Sequence, residues 1–205
     1  MIQLETVVIS ANKNETNRLE APIVVHVMTP KLFENTNSVC LAQGLSFQPG
    51  LRVETNCQNC GFQQVRINGL DGPYTQLLLD GKALFSSLNG VYGIEQIPTG
   101  MIERVEVMRG GGSALYGANA IGGTVNIITK EPLNNLFMIS HNLTAIGNSA
   151  YDNTTSLNTS LVNSQRDAGI YLFGTSRHRQ HYDHDGDHFS EIGKLKLTTL
   201  GFKPN

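Results

Sequence analysis

Ile97-Pro-Thr-Gly-Met-Ile-Glu-Arg-Val-Glu-Val-Met-Arg-Gly-Gly-Gly-Ser-Ala-Leu-Tyr-Gly-Ala-Asn-Ala-Ile-Gly-Gly-Thr-Val-Asn-Ile-Ile-Thr-Lys130 is the stretch whose reading decides the fold. Ile97 to Ile102 makes about one helical turn. Glu103 to Met108 alternates with the period of a strand, Val105 and Val107 pointing one way, Arg104 and Glu106 the other. Arg109 to Gly123 is rich in glycine, and Thr124 to Thr129 reads as a second strand. The glycines do not form a nucleotide cradle. A P-loop requires a lysine and a Ser/Thr in register, and the first lysine here is Lys130. G-x-G-x-x-G fails because Leu115 stands at its third glycine. What remains is backbone permissiveness, glycines where the chain turns tightly or packs on another backbone.

Upstream, Leu4 to Ile9 is β-prone and is followed by a polar stretch, Asn12 to Glu20. A short terminal strand without a partner is an edge able to pair with another chain. Pro22 to Met28 is the next strand. Thr29-Pro30 caps a first short helix and Asn37-Ser38 a second, which Pro49-Gly50 stops. Leu51 to Glu54 and Gln64 to Asn68 flank a cysteine loop, and Asp71-Gly-Pro73 is a turn. Thr75 to Leu79 and Lys82 to Phe85 form a hairpin through Asp80-Gly81. Ser86 to Gly93 is a loop. After Pro132 the pattern changes. Phe137 to Ile146, Ser156 to Val162, Gly169 to Ser176 and Ile192 to Phe202 read as strands of an antiparallel meander. Polar turns separate them, the last from Arg177 to Asp187.

Composition agrees with a turn-rich α+β chain. Of 205 residues only 16% are charged, with 21 glycines and no tryptophan. The formal charge of −2 leaves no basic field for nucleic acid. A complete transmembrane β-barrel carries aromatic girdles at both interfaces, so the absence of tryptophan speaks against one. No apolar run reaches the length of a membrane helix, and Met1 to Glu5 has no features of a signal peptide.

Three cysteines and a histidine-rich loop are the remaining chemical candidates. Cys40 lies in an apolar-leaning segment and reads as a buried free thiol. Cys57 and Cys60 form C-x-x-C in a polar, turn-like setting. A thioredoxin-type site would need a helix after the motif, and a zinc knuckle two more ligands close by. A small local disulfide in an oxidising compartment is the simpler reading. His178, His181, His184 and His188 alternate with Asp183, Asp185 and Asp187, but not at hydrolase spacing. An EF-hand counted from Asp183 would put His188 and Lys194 where glycine and glutamate are required. No metal site and no catalytic set is assigned.

The run from Ile97 to Lys130 resembles the plug domain of TonB-dependent outer-membrane receptors, in which a stretch of the type "I-E-R-[IV]-E-V-x-R-G-P-x-S-x-L-Y-G…G-G-x-[IV]-N-I-I-T-K" closes the plug. Gly111 departs from it, since the family often has proline there. Val65-Arg-Ile-Asn-Gly-Leu70, Leu77-Leu-Leu-Asp-Gly81 and Ala21 to Thr29 resemble further pieces of the same domain. The resemblance implies an α+β fold: a plug with a small mixed β-sheet and short helices, followed by antiparallel hairpins of an incomplete transmembrane β-barrel. It divides the chain into a TonB box and linker (1–20), a plug (21–132) and first barrel strands (133–205).

Further roles follow from the resemblance. Glu5, Thr6, Val7, Val8 and Ile9 look like the TonB box, which adds a strand to the periplasmic energy transducer TonB. Arg66 and Arg109 match plug arginines that pair with glutamates on the barrel wall, a task that suits the guanidinium fork. Gly69, Tyr74, Phe85 and Tyr92 lie on loops that face the ligand, an iron chelate, haem or cobalamin. The cysteine loop and Ile67 to Tyr74 look most like haem receptors of the Bacteroidetes type. The expected setting is the outer membrane, with no enzyme activity and no cofactor. A soluble plug-derived binding or signalling module, and a metal enzyme built on the histidine-rich loop, are the competing readings.

Overall fold

The computed structural model of the chain describes residues 8–9, 16–17, 24–57, 62–84, 93–110, 113–147 and 149–205. Two short strands come first, β1 (Val8–Ile9) and β2 (Thr16–Asn17), paired with each other antiparallel. The expectation of an edge with no partner is corrected at Val8 and Ile9, which face Asn17 and Thr16.

A five-stranded mixed sheet forms the inner unit. Its strands are β3 (Val25–Met28), β6 (Thr75–Leu79), β7 (Lys82–Ala83), β8 (Ile102–Arg109) and β9 (Gly123–Thr129), in the order β3-β8-β9-β6-β7. Only β6 and β9 run parallel. The β6–β7 turn is Asp80-Gly81, with φ of +48° and +75°, the left-handed pair that a two-residue hairpin requires. The Asp80 carboxylate bolts this turn to the end of β9, accepting from Thr129 N at 2.9 Å and Thr129 Oγ1 at 2.7 Å.

Two short helices, α1 (Pro30–Asn35) and α2 (Leu41–Leu45), cover one face of the sheet. Thr29 precedes α1 with Pro30 as its first residue, as the sequence predicts. The second helix starts later than Asn37-Ser38 would set it. Asn37 takes a left-handed φ of +49°, and the Ser38 hydroxyl is engaged by Thr36 at 2.7 Å. The open amides of α2 are met from another segment instead: Leu41 N donates to Ile97 O and Ala42 N to Ile94 O. Leu41, Leu45, Ile67, Ile94, Ile102, Val105, Val107, Val125 and Ile127 are buried together in the main core.

The opposite face of β8 is also covered. Glu106, which shares with Arg104 the side of the strand opposite Val105 and Val107, is 2% exposed and pairs with Arg104 at 2.8 Å. Val25 and Met108 are buried on a second, smaller cluster with Tyr116 packed against it. Tyr116 belongs to α3 (Ser113–Tyr116), and its hydroxyl pKa is pushed up by burial and by the nearby Glu106 carboxylate. A hairpin of β4 (Leu51–Cys57) and β5 (Phe62–Ile67) stands beside the mixed sheet.

The last four strands are β10 (Leu136–Ile146), β11 (Ala150–Val162), β12 (Gly169–Arg179) and β13 (Leu195–Pro204), an antiparallel meander in sequence order. Each has the ~9–11 residues that a tilted strand needs to cross a bilayer. β12 extends through Arg179, so Arg177 and Arg179 lie in a strand and not in the loop predicted for them. One face of this outer sheet is polar and buried: Asp152, Thr154, Asn158, Ser160, Thr175 and Arg177. The other presents Phe137, Ile139, Leu143, Tyr151, Leu161, Leu200 and Phe202, each at least half exposed. The sheet is open, with β10 and β13 at its edges. No helix among the described residues is long and apolar enough to cross a membrane.

Candidate functional site

The inner unit sits on the polar face of the outer sheet, and the seam between them holds the most heavily buried charges of the outer sheet. Arg177 of β12 is 2% exposed. Its Nε donates to Asp152 Oδ1 at 3.0 Å and its Nη2 to Asp152 Oδ2 at 2.6 Å, a two-pronged pairing across β11 and β12. Its Nη1 turns to the inner unit, 3.7 Å from Glu95 Oε1 and 3.6 Å from Cys40 Sγ. Arg179 Nη1 reaches the same Glu95 oxygen at 3.2 Å. Cys40 is a buried free thiol, as its sequence setting predicts. Burial pushes its pKa up against the opposing pull of Arg177, so it sits in the seam as a neutral group.

Further along the seam the Tyr171 hydroxyl donates to Gly100 O at 2.7 Å, and Thr199 Oγ1 to Gln96 O at 3.2 Å. Gly100 leaves room here for the Asn158 amide, which an added Cβ would crowd at 2.5 Å. Lys203 of β13 closes the far end on Asp80 at 3.4 Å and Glu131 at 3.6 Å. Sequence reasoning missed these contacts. The signal available was the inward period of β12, where Tyr171, Phe173, Thr175, Arg177 and Arg179 share one face.

The two arginines predicted to pair with a barrel wall are engaged within the inner unit. Arg66 pairs with Glu54 at 2.7 Å and Asp71 at 3.0 Å. Arg109 donates to Pro49 O and packs its guanidinium under Gly50, where a Cβ would meet it at 2.8 Å. β10 to β13 contain no glutamate. Arg66 shares a cleft of about 510 Å³ with Asp71, Tyr74, Asn119 and Ile121. Two separate expectations, a wall-pairing arginine and a ligand-facing tyrosine, thus meet in one place. Tyr74 is 44% exposed, and Gly69 stands on the adjoining turn at φ +83° with open space around it.

Several expected site residues lie outside the described residues: Glu5, Thr6, Val7, Cys60, Phe85 and Tyr92, with the side chain of Cys57. The backbone places Cys57 at the end of β4, opposite Phe62. The Cys57–Cys60 disulfide remains a proposal with a direct check. In oxidised material, mass spectrometry is expected to show a loss of two hydrogens on the peptide holding both; two alkylatable thiols there refute it.

In the loop between β12 and β13, the carboxylates of Asp183, Asp185, Asp187 and Glu191 gather within 4.8 Å of one another. All four accept backbone amides of their own loop, Asp183 from Gly186 N and His188 N, Asp185 from Asp187 N, Asp187 from Phe189 N and Glu191 from His184 N. Oxygen-only donors suit a hard cation, not the zinc of a hydrolase. All four side chains are solvent-accessible, and the loop's own hydrogen bonds account for their convergence.

Comparison with known proteins places this geometry. A family model described as TonB-dependent Receptor Plug Domain matches residues 17–124. The vitamin B12 transporter BtuB of Vibrio vulnificus (strain CMCP6) is 35% identical over 127 residues, 62% of this chain and 21% of the transporter. The siderophore receptor PirA from Acinetobacter baumannii superposes with a TM-score of 0.65 at 25% identity, covering 80% of this chain and 26% of that one. The ferric citrate transporter FecA in its unliganded form gives a TM-score of 0.71 over 91% of this chain and 29% of that one. At 17% identity the FecA likeness is one of fold alone. The chain spans about a fifth of the length of the curated relatives it matches.

Proposed function

The chain belongs to the TonB-dependent receptor plug-domain family, and from that premise we propose that it serves as the plug and first wall strands of an outer-membrane importer for cobalamin or an iron chelate. The inner unit is the plug, and the outer sheet is part of a barrel wall that is open in this chain. The division into residues 1–20, 21–132 and 133–205 follows these roles.

One observation carries the reading: the plug is seated on the polar face of a sheet whose opposite face bares large apolar side chains on every strand, Phe137, Ile139, Leu161, Leu172, Leu200 and Phe202 among them. That is the inside-out patterning a barrel strand needs, with lipid outside and a filled, polar lumen inside. A water-soluble module gains nothing by exposing Phe137, Ile139, Leu200 and Phe202 on one face, and the outer membrane is where that face is satisfied. The relatives named above are transporters and receptors. Import makes and breaks no bond, so the chain is not an enzyme. The names of BtuB and PirA give vitamin B12 and siderophore, and support cobalamin or an iron chelate as the cargo. We assign Gly69 and Tyr74, with Phe85 and Tyr92, to that ligand; Arg66 and Arg109, engaged within the plug by Glu54, Asp71 and Pro49, are the arginines assigned to wall glutamates, which β10 to β13 do not carry.

TonB supplies the energy by pairing with Glu5 to Ile9. The two-residue β1–β2 ladder is a weak competitor, since an isolated hairpin is marginal in water. Strand addition rests on backbone hydrogen bonds, so Val7→Pro, which removes a donor, is expected to abolish capture by TonB's C-terminal domain. Val7→Thr weakens it little. Equal capture of the proline variant and the parent chain refutes the TonB assignment.

A further inference from the structure

We propose that Glu95, Arg177 and Arg179 form a charge clamp that seats the plug on the first wall strands in one register, with the cations on the wall and the carboxylate on the plug. The polarity is opposite to that expected for Arg66 and Arg109, where the plug supplies the arginine. The clamp concerns how the plug is held and goes beyond the choice of ligand.

The charge count of the wall is the starting point. Arg177 and Arg179 sit two residues apart on β12 and so point to the same, inward face. Asp152 is the acidic partner that the wall itself provides to Arg177, through two nitrogens of the fork. Two cations against one carboxylate leave the wall short of one negative charge at this point. Glu95 of the plug supplies it, and its Oε1 lies 3.7 Å from Arg177 and 3.2 Å from Arg179. With Arg177 at 2% and Glu95 at 13% exposure, solvent does little to screen either. A buried cation left without its partner is strongly unfavourable, whereas the completed set is neutral.

Neutral contacts then fix the register. Gln96 O accepts from Thr199 Oγ1 at 3.2 Å, and Gly100 O accepts from the Tyr171 hydroxyl at 2.7 Å. Hydrogen bonds of this kind form at many places along a strand-lined wall. The charges make the choice among them, because a plug turned to another seating takes Glu95 from Arg179 and leaves Arg177 with Asp152 alone, two cations against one carboxylate. Residues 93–101 are therefore the fixed point of the plug against this part of the wall.

Hydrogen exchange on the full chain in detergent micelles tests the clamp. Leu41 N, Ala42 N and Thr99 N donate to carbonyls of Ile97, Ile94 and Val39, so these amides report whether the seated segment holds. Glu95→Gln keeps the side-chain shape and removes the charge. It is expected to speed exchange at the three amides by about tenfold or more, with Val107 and Val125 of the central sheet unchanged. Arg179→Gln, which leaves the Asp152–Arg177 pair intact, is expected to give the same local pattern. Glu95→Arg combined with Arg179→Glu restores protection lost in Glu95→Arg alone. Parental exchange rates in Glu95→Gln overturn the clamp. So does a charge swap no better protected than its single variant, or a loosening that reaches Val107 and Val125 equally, which marks Glu95 as a residue of general folding.

Discussion

Gly123→Ala is expected to break the central sheet of the plug. Gly123 opens β9 between two partners, Arg109 of β8 and Thr75 of β6. Its φ of +144° is a conformation that side chains with a Cβ rarely adopt. An added Cβ would stand 2.2 Å from the Met108 carbonyl oxygen and 3.2 Å from the Arg109 Cα. Both are backbone atoms of a paired strand and have no rotamer by which to yield. Strain of ~1–3 kcal/mol and overpacking of a similar size act together, for a loss of about 4 kcal/mol. For a chain of this length that is a fall of roughly 8–16 °C in the unfolding midpoint. Gly69→Ala is the control: φ is also positive, +83°, but the space is open, so only the conformational cost of about 1 kcal/mol applies. A midpoint for Gly123→Ala within about 2 °C of the parent would show that β9 is not held as described.

Arg177→Met is the second large effect. It keeps the bulk of the side chain in the seam but leaves Asp152 without its two-pronged donor and Glu95 with Arg179 alone. Removing one partner of a buried pair costs about 3–5 kcal/mol, most of it the stranded charge. The sign of the remedy follows from that cause. Arg177→Met combined with Asp152→Leu removes the stranded carboxylate and is expected to recover most of the loss, even though one more polar residue has gone. Denaturant midpoints in detergent measure both. A single variant that loses less than about 1 kcal/mol, or a double variant worse than the single, contradicts a buried, coupled pair.

Reading Arg177 correctly needed the fold. In the sequence it opens a polar run, Arg177 to Asp187, that has every mark of a turn. The strand continues through Arg179 because its inward positions are paid in charge pairing with Asp152 and Glu95, contacts made across 25 and 82 residues of chain. Glu106 is a similar case. Alternation places it opposite Val105 and Val107, and the period is right. Whether that opposite face meets water depends on what covers it, and the cluster of Val25, Met108 and Tyr116 covers it. Periodicity reports sidedness, not the environment of each side.

The amino-acid sequence by itself determined the local elements. The Asp80-Gly81 hairpin, proline at the start of α1, the strand pair flanking a glycine-rich connection and the antiparallel meander all rest on short-range sterics and period, which neighbouring residues decide. Cys40 as a buried thiol was legible for the same reason, since its neighbours are apolar. Tertiary structure decided the rest: that Val8 and Ile9 have a partner in Thr16 and Asn17, that Arg66 and Tyr74 share a cleft, that four carboxylates of one loop converge, and that Glu95 meets Arg177 and Arg179. Each of these depends on the distance between side chains brought together by the fold. Coulombic and hydrogen-bonding energies vary steeply with that distance and with burial, and neither quantity is set by a residue's place in the chain.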